Sequence, residues 1–211
     1  KVQFGFEDSL SVRKIYARHV GLFGRSEFSD PYEITVQEFI QAFVYTGSDD
    51  TYVKKIYEEQ VKWSHQNLYN DQSYSDEEVY SVVADNGGNV YIAGDARKLE
   101  KLDSEGNRLW VYDERGRDTE SISVNLYGDL FVGLSYGYID RLDPETGKRI
   151  LGYKWTGSNP NRAINALSVS PDGRYLVAGN DQGTLKRLDP EDFSTIWEKD
   201  ISSSTINHIK V

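Results

Sequence analysis

Histidine is the side chain most often used as a general base or metal ligand near neutral pH, and this sequence holds three: His19, His65 and His208. They fall in different segments and share no motif, so each reads as a structural residue, with His208 in a barrel-facing or inter-sheet position. With no cysteine, thiolate zinc sites, disulfides and cysteine nucleophiles are excluded. Asp85, Asp103, Asp143, Asp172 and Asp189 recur beside Asn, Pro and Gly, the setting in which an aspartate accepts hydrogen bonds from its own turn. An EF-hand alternation of oxygen ligands is absent. Asp49-Asp50 and Asn180-Asp181 could help hold a cation, although a solvated turn accounts for them more simply. There is no G-x-S-x-G elbow, P-loop or dinucleotide glycine fingerprint. The expectation is a protein that is not an enzyme, with no catalytic residue, cofactor or metal.

The net charge of -10 argues against nucleic acid and anionic membranes, which select for basic patches. No apolar run approaches the roughly 20 residues that span a bilayer, and no signal peptide is visible. Methionine is absent even at position 1, which leads us to expect a piece of a longer protein. Aromatics reach 13%, with 15 tyrosines, a usage suited to pleated surfaces.

The elements that must position these residues come from a repeat. A strand ending in glycine occurs at Phe43–Gly47, Val90–Gly94, Leu130–Gly133 and Tyr175–Gly179. A basic-then-aliphatic step follows at Lys55-Ile56, Lys101-Leu102, Arg141-Leu142 and Arg187-Leu188, and a large apolar residue closes each unit at Trp63, Trp110, Leu151 and Trp197. The three landmarks keep step from unit to unit. Trp155 lies past Leu151 and out of that register. Each unit has room for four short antiparallel strands: in the last, Ile164–Ser170, Tyr175–Ala178, Thr184–Leu188 and Ser194–Lys199, with turns at Pro171-Asp172-Gly173 and Gly179–Gly183. No segment carries a convincing helical period. Four-stranded units of about 40–45 residues predict an all-β fold of propeller blades stacked around an axis.

Asn89–Gly94 followed by Lys101–Trp110, together with Asp143–Lys148 and Ser168–Gly173, resembles the repeat of PQQ-like and WD-like propellers. The resemblance covers roughly residues 40–211 and implies fold far more than function, since such propellers include enzymes, scaffolds and adhesins. PQQ-dependent dehydrogenases are similar in repeat, but their cysteine and metal-ligand features are missing here, and the cofactor is not carried over. Tyr16-Ala17-Arg18, Gly24–Ser29 and Ile34-Thr35-Val36 look like the closing hairpin of a fibronectin type III domain, giving an N-terminal β-hairpin segment at 1–38 before blades at 39–211. A fibronectin-like module leading into propeller repeats resembles phage tail and baseplate proteins.

About four blades are expected, in a ring that is open or incomplete. The first lacks an obvious first strand unless 37–41 supplies it, and Thr205–Val211 reads either as that strand or as the start of a fifth blade. The Trp residues at repeat spacing are expected to pack between blades. Binding falls to the loops joining second to third strands and to the crossings between blades. There Arg97, Tyr136, Asp181 and Gln182, with Tyr74, Arg115 and Arg162, are the candidate partner-binding residues, because Tyr and Arg make good contacts. The expected role is a binding or structural module of a larger extracellular or virion assembly, contacting protein or surface glycan. The alternative is a protein-docking scaffold of the bacterial cell envelope. Homo-oligomerisation is left open.

Overall fold

The computed structural model describes the backbone of residues 2–7, 14–21 and 24–25, and residues 43–48, 51–67, 78–95, 97–113, 116–156 and 162–211 with their side chains. The chain divides into Lys1–Ala42 and Phe43–Val211.

In the first unit, β1 (Val2–Glu7), β2 (Lys14–Gly21) and β3 (Gly24–Arg25) form an antiparallel sheet in that order. β2 coincides with the strand expected from Arg13 to Val20. The expected strand at 32–36 lies outside the described residues.

In the second unit every sheet is antiparallel and follows chain order. The first has three strands, β4 (Val44–Gly47), β5 (Tyr52–Tyr57) and β6 (Gln60–Gln66). The next has four: β7 (Val79–Ala84), β8 (Val90–Gly94), β9 (Leu99–Leu102) and β10 (Arg108–Tyr112). The third runs β11 (Thr119–Val124), β12 (Leu130–Leu134), β13 (Tyr138–Leu142) and β14 (Arg149–Lys154). The fourth runs β15 (Ala166–Val169), β16 (Leu176–Gly179), β17 (Thr184–Leu188) and β18 (Thr195–Asp200). These are the blades that the repeat predicts, in an all-β fold. Residues 37–41, nominated for the first blade, lie outside the described residues.

Burial follows strand position. β8, β12 and β16 are buried along their whole length, which explains their unbroken apolar sequences: both faces are covered. The outer strand β18 is exposed throughout. The three hydrophobic clusters each join neighbouring blades: Val53 with Ile92 and Leu102, Tyr91 and Leu99 with Leu130 and Leu134, Phe131 and Ile139 with Leu176 and Leu188. A blade has no private core, so its stability depends on its neighbours.

The recurrent basic residue, tryptophan and glycine make one contact. Lys55 Nζ and Trp63 Nε1 both donate to the Ser104 carbonyl, at 2.7 and 2.9 Å. Lys101 Nζ and Trp110 Nε1 do the same to Pro144, at 2.8 and 3.0 Å. Gly106 and Gly147, both at positive φ, lie flat on these indoles. At the third interface Arg141 reaches the Pro190 carbonyl at 3.4 Å, but Leu151 replaces the tryptophan. There Phe193 takes the glycine's place at φ 59°, buried against Phe131 and Tyr153. The two substitutions compensate: the ring lost from β14 returns on the next blade's turn. Trp155 is buried in the same cluster. Trp197 departs from expectation. It is 40% exposed, because no described residue covers the far side of β18.

A second contact runs alongside. His65 Nε2 lies 2.5 Å from Glu100, Tyr112 donates to Asp140 at 2.7 Å, and Lys186 donates to the Tyr153 hydroxyl at 3.3 Å. Burial raises the Glu100 pKa, but hydrogen bonds from His65 and Lys98 outweigh it and hold the carboxyl below its ordinary value. His65 is thus a blade-joining residue.

Thr205–Val211 forms no ladder, yet it occupies the place of a first strand. Ile164 N donates to the Leu134 carbonyl at 3.2 Å and Val169 N to Ser123 Oγ at 2.9 Å. Correspondingly, Ile206 N donates to the Asn180 carbonyl at 3.1 Å and Val211 N to Ser168 Oγ at 3.2 Å. Ile164 caps Gly133 as Ile206 caps Gly179.

Candidate functional site at the channel mouth

The recurring aspartates face their own turns. Asp85 accepts from the Gly87 and Asn89 amides at 2.9 Å each, and Asp103 from Glu105 and Asn107 at 2.9 and 2.8 Å. Hydrogen bonds from Asn107, Thr146 and Ser170 hold Asp103, Asp143 and Asp172 below the ordinary aspartate range. Asn125 plays the same part in the third blade, accepting from Tyr127 and Asp129.

The opposite ends of the blades differ. The innermost segments β7, β11, β15 and 207–210 surround a cavity of ≈ 710 Å³. Tyr80, Glu120, Asn165 and Asn207, at matching places in the four segments, line it, and so does His208, in the barrel-facing position expected of it. Above lie the loops between second and third strands and the crossings. Asp118 bonds through its amide to Ser135 Oγ at 3.1 Å, and Arg97 Nε approaches its carboxylate at 3.6 Å. Asp95 accepts from the Glu78 amide. Asp181 is tied by its amide to the Ala163 carbonyl at 3.2 Å, and Arg162 Nη1 lies 3.8 Å from its carboxylate.

The acids act on one another. Burial, then the charges of Asp118, Asp181 and Asp95, push Glu120 up to about 7. Burial and four surrounding carboxylates, led by Asp95, push Tyr80 up to about 12. Asp118 is raised by burial and by Asp95 against the opposing pull of Arg97. Such a convergence attracts cationic groups and repels anions.

Of the sequence candidates, Arg97, Tyr136, Arg162, Asp181 and Gln182 fall on these loops. Arg162, Asp181 and Gln182 meet, for Gln182 Nε2 donates to the Asp181 carbonyl at 3.3 Å. Arg97 belongs to the Asp118 pair. Tyr136 stands at φ 61°, is 53% exposed as a residue, and its carbonyl accepts from Lys154 Nζ. Tyr74 and Arg115 lie outside the described residues, as do Asp49 and Asp50. Sequence reasoning missed Tyr80, Asp118 and Glu120. For Tyr80 and Glu120 the signal was the residue next to the first residue of an inner strand, which lines the cavity in the four described segments, and Asp118 stands just before β11 on the crossing. Among the described residues, no group of three or more His, Asp or Glu side chains is placed to hold a metal ion, and no helix is long and apolar enough to cross a membrane.

No curated protein matches the chain. Residues 42–210 match the sequence model of one protein family, described as outer membrane protein assembly factor BamB. The match spans all of the described blades, and the chain belongs to that family.

Proposed function

We propose that this propeller is a protein-docking module of a cell-envelope assembly, working by binding and not by catalysis, with the channel mouth as its docking face. The observation that carries the reading is the half-buried Glu120 with Asp118, Asp181 and Asp95 converging on it: burial first, then these charges, push its carboxyl up to about 7. A protein segment bearing Lys or Arg relieves this repulsion by binding. Arg97 and Arg162, held by ion pairs of 3.6 and 3.8 Å, are placed to exchange partners with it. Membership of a family described by an assembly factor supports the same reading.

The test is site-specific photocrosslinking in the source cell. Crosslinkers at Arg97, Tyr136 and Gln182 should capture envelope proteins, and those at Leu109 and Ile150 on the outer rim should not. Capture from the rim positions alone overturns the assignment.

A second reading keeps the module in an extracellular or virion setting of the phage-tail kind, with the fibronectin-like segment as a spacer and a surface glycan as ligand. The exposed Tyr136 ring supports it, since aromatic faces stack on sugars. A glycan array separates the two.

A further inference from the structure

We propose that Asn86 is a site of covalent modification. Its side chain loses ammonia by attack of the Gly87 nitrogen, Asp85 and the neighbouring blade slow that loss, and the product breaks the bond that ties this turn to the next. Of the asparagines in the sequence, Asn86 alone precedes a glycine. Glycine sets no side chain in the way when its nitrogen closes on the residue before it. Both residues are exposed in the turn between β7 and β8, so water reaches them. The equivalent pairs in the third and fourth blades, Leu126-Tyr127 and Pro171-Asp172, do not begin with an amide side chain.

The reaction needs only water. The Gly87 amide gives its proton to water or hydroxide, and its nitrogen bonds to Asn86 Cγ. The Cγ–Nδ2 bond then breaks, ammonia departs, and a cyclic imide remains. Water opens the ring at either carbonyl. Opening at Cγ leaves aspartate; opening at the backbone carbon leaves isoaspartate, with the chain running through Cγ. One water is consumed for each ammonia released, and nothing is oxidised or reduced.

The structure restrains both reacting groups. Gly87 N donates to Asp85 Oδ1 at 2.9 Å, and a hydrogen bond to a carboxylate makes that proton harder to remove. The carboxylate is itself fixed by Asn89 N, Asn89 Nδ2 and the Tyr91 hydroxyl, at 2.9, 2.9 and 3.1 Å. Asn86 Nδ2 donates to the Leu126 carbonyl at 3.1 Å. That carbonyl belongs to the third blade, so part of the protection depends on how the blades meet. Once ammonia has left, neither product can donate there, because a carboxylate only accepts. Isoaspartate also lengthens the chain between Asp85 and the Gly87 and Asn89 amides that it clasps. The turn released from Asn86 carries Leu126 and Tyr127, exposed at 62% and 76%.

The other blades supply the variants for a test. Asn125 stands in the place of Asp85 in the third blade and accepts from the corresponding amides, Tyr127 and Asp129, at 2.9 Å each. Ser170 stands there in the fourth and accepts instead from the Arg174 and Tyr175 amides, at 3.0 and 3.2 Å. Asp85→Asn therefore keeps the clasp on Gly87, and Asp85→Ser gives it up in a turn that the fold already uses.

The 211-residue chain, incubated at mildly alkaline pH, is followed at Asn86 by peptide mapping and mass spectrometry. Conversion should be several-fold slower in the folded chain than in urea. Asp85→Ser should speed it several-fold in the folded chain, and Asp85→Asn should leave it near the wild-type rate; melting curves verify that each variant is folded during incubation. Asn86→Asp should speed hydrogen exchange across 125–129. Equal conversion with and without urea, no conversion in either, Asp85→Ser no faster than Asp85→Asn, or unchanged exchange in Asn86→Asp overturns the proposal. Should Asp85→Ser not fold, the wild-type comparison and the exchange measurement still decide it.

Discussion

A Cβ placed on Gly147 would come within 2.8 Å of the Trp110 ring, whose own Nε1 donates to the Pro144 carbonyl three residues earlier. Hydrogen bond and ring contact thus fall on one turn, and the glycine is required twice: by its φ of +69° and by the indole.

Gly147→Ala should destabilise the protein by about 1–3 kcal/mol, combining left-handed strain with steric overlap. Trp110→Leu alone removes a buried ring face and a hydrogen bond. In the double variant the overlap vanishes, so the two losses should add to more than the measured total in a double-mutant cycle of chemical denaturation.

The third interface provides the converse. Leu151→Trp alone should be destabilising by about 1–3 kcal/mol, since Phe193 already fills the space an indole needs. Leu151→Trp combined with Phe193→Gly should recover most of that loss, because Phe193 then no longer occupies a left-handed backbone position. Thermal melts of the single and double variants check the sign.

Glu100 is fully buried between His65 and Lys98, which lies 2.7 Å from it. Glu100→Ala leaves the Lys98 ammonium buried and unpaired, at a cost of about 3–5 kcal/mol. Because the folded-state pKa lies below the ordinary 4.5, its stabilisation is present above pH 4.5 and lost as the pH falls through the lowered value. Acid unfolding of the wild type should be correspondingly steeper than that of Glu100→Gln.

Glu120 has the opposite sign. Its carboxyl is raised from 4.5 to about 7, so the stabilisation it brings is complete below 4.5 and lost as pH rises through about 7. Glu120→Gln should remove this fall in stability between those values, as read from denaturant midpoints. If the mouth binds a basic segment, affinity in the wild type should rise over the same interval and that rise should disappear in the variant.

Much of the fold was legible because every blade repeats the same requirement. Continuous apolar strands at 90–94, 130–134 and 176–179 need cover on both faces, and only neighbouring sheets provide it. The exposure of Trp197 was not legible: its sequence setting matches Trp63 and Trp110, and the difference lies in what stands opposite. The candidate site was half legible. Arg97, Tyr136, Asp181 and Gln182 could be placed on loops from turn residues alone, but the bearing of Asp118 and Asp181 on Glu120 joins residues of different blades and depends on how the sheets converge. Leu151 in place of a tryptophan was visible in the sequence; that Phe193 of the next blade supplies a ring to the same cluster was not, because it joins residues of two blades.

The self-satisfied turn aspartates carry a consequence for how a partner arrives. At one end of the blades the carboxylates accept hydrogen bonds from their own turns, and at the other the charges of Asp118, Asp181 and Asp95 bear on the half-buried Glu120. Clustered acids in a partly sheltered mouth focus a local negative field there. A cationic partner should be drawn toward the mouth before contact forms, and added salt should slow that encounter more than it shortens the bound lifetime.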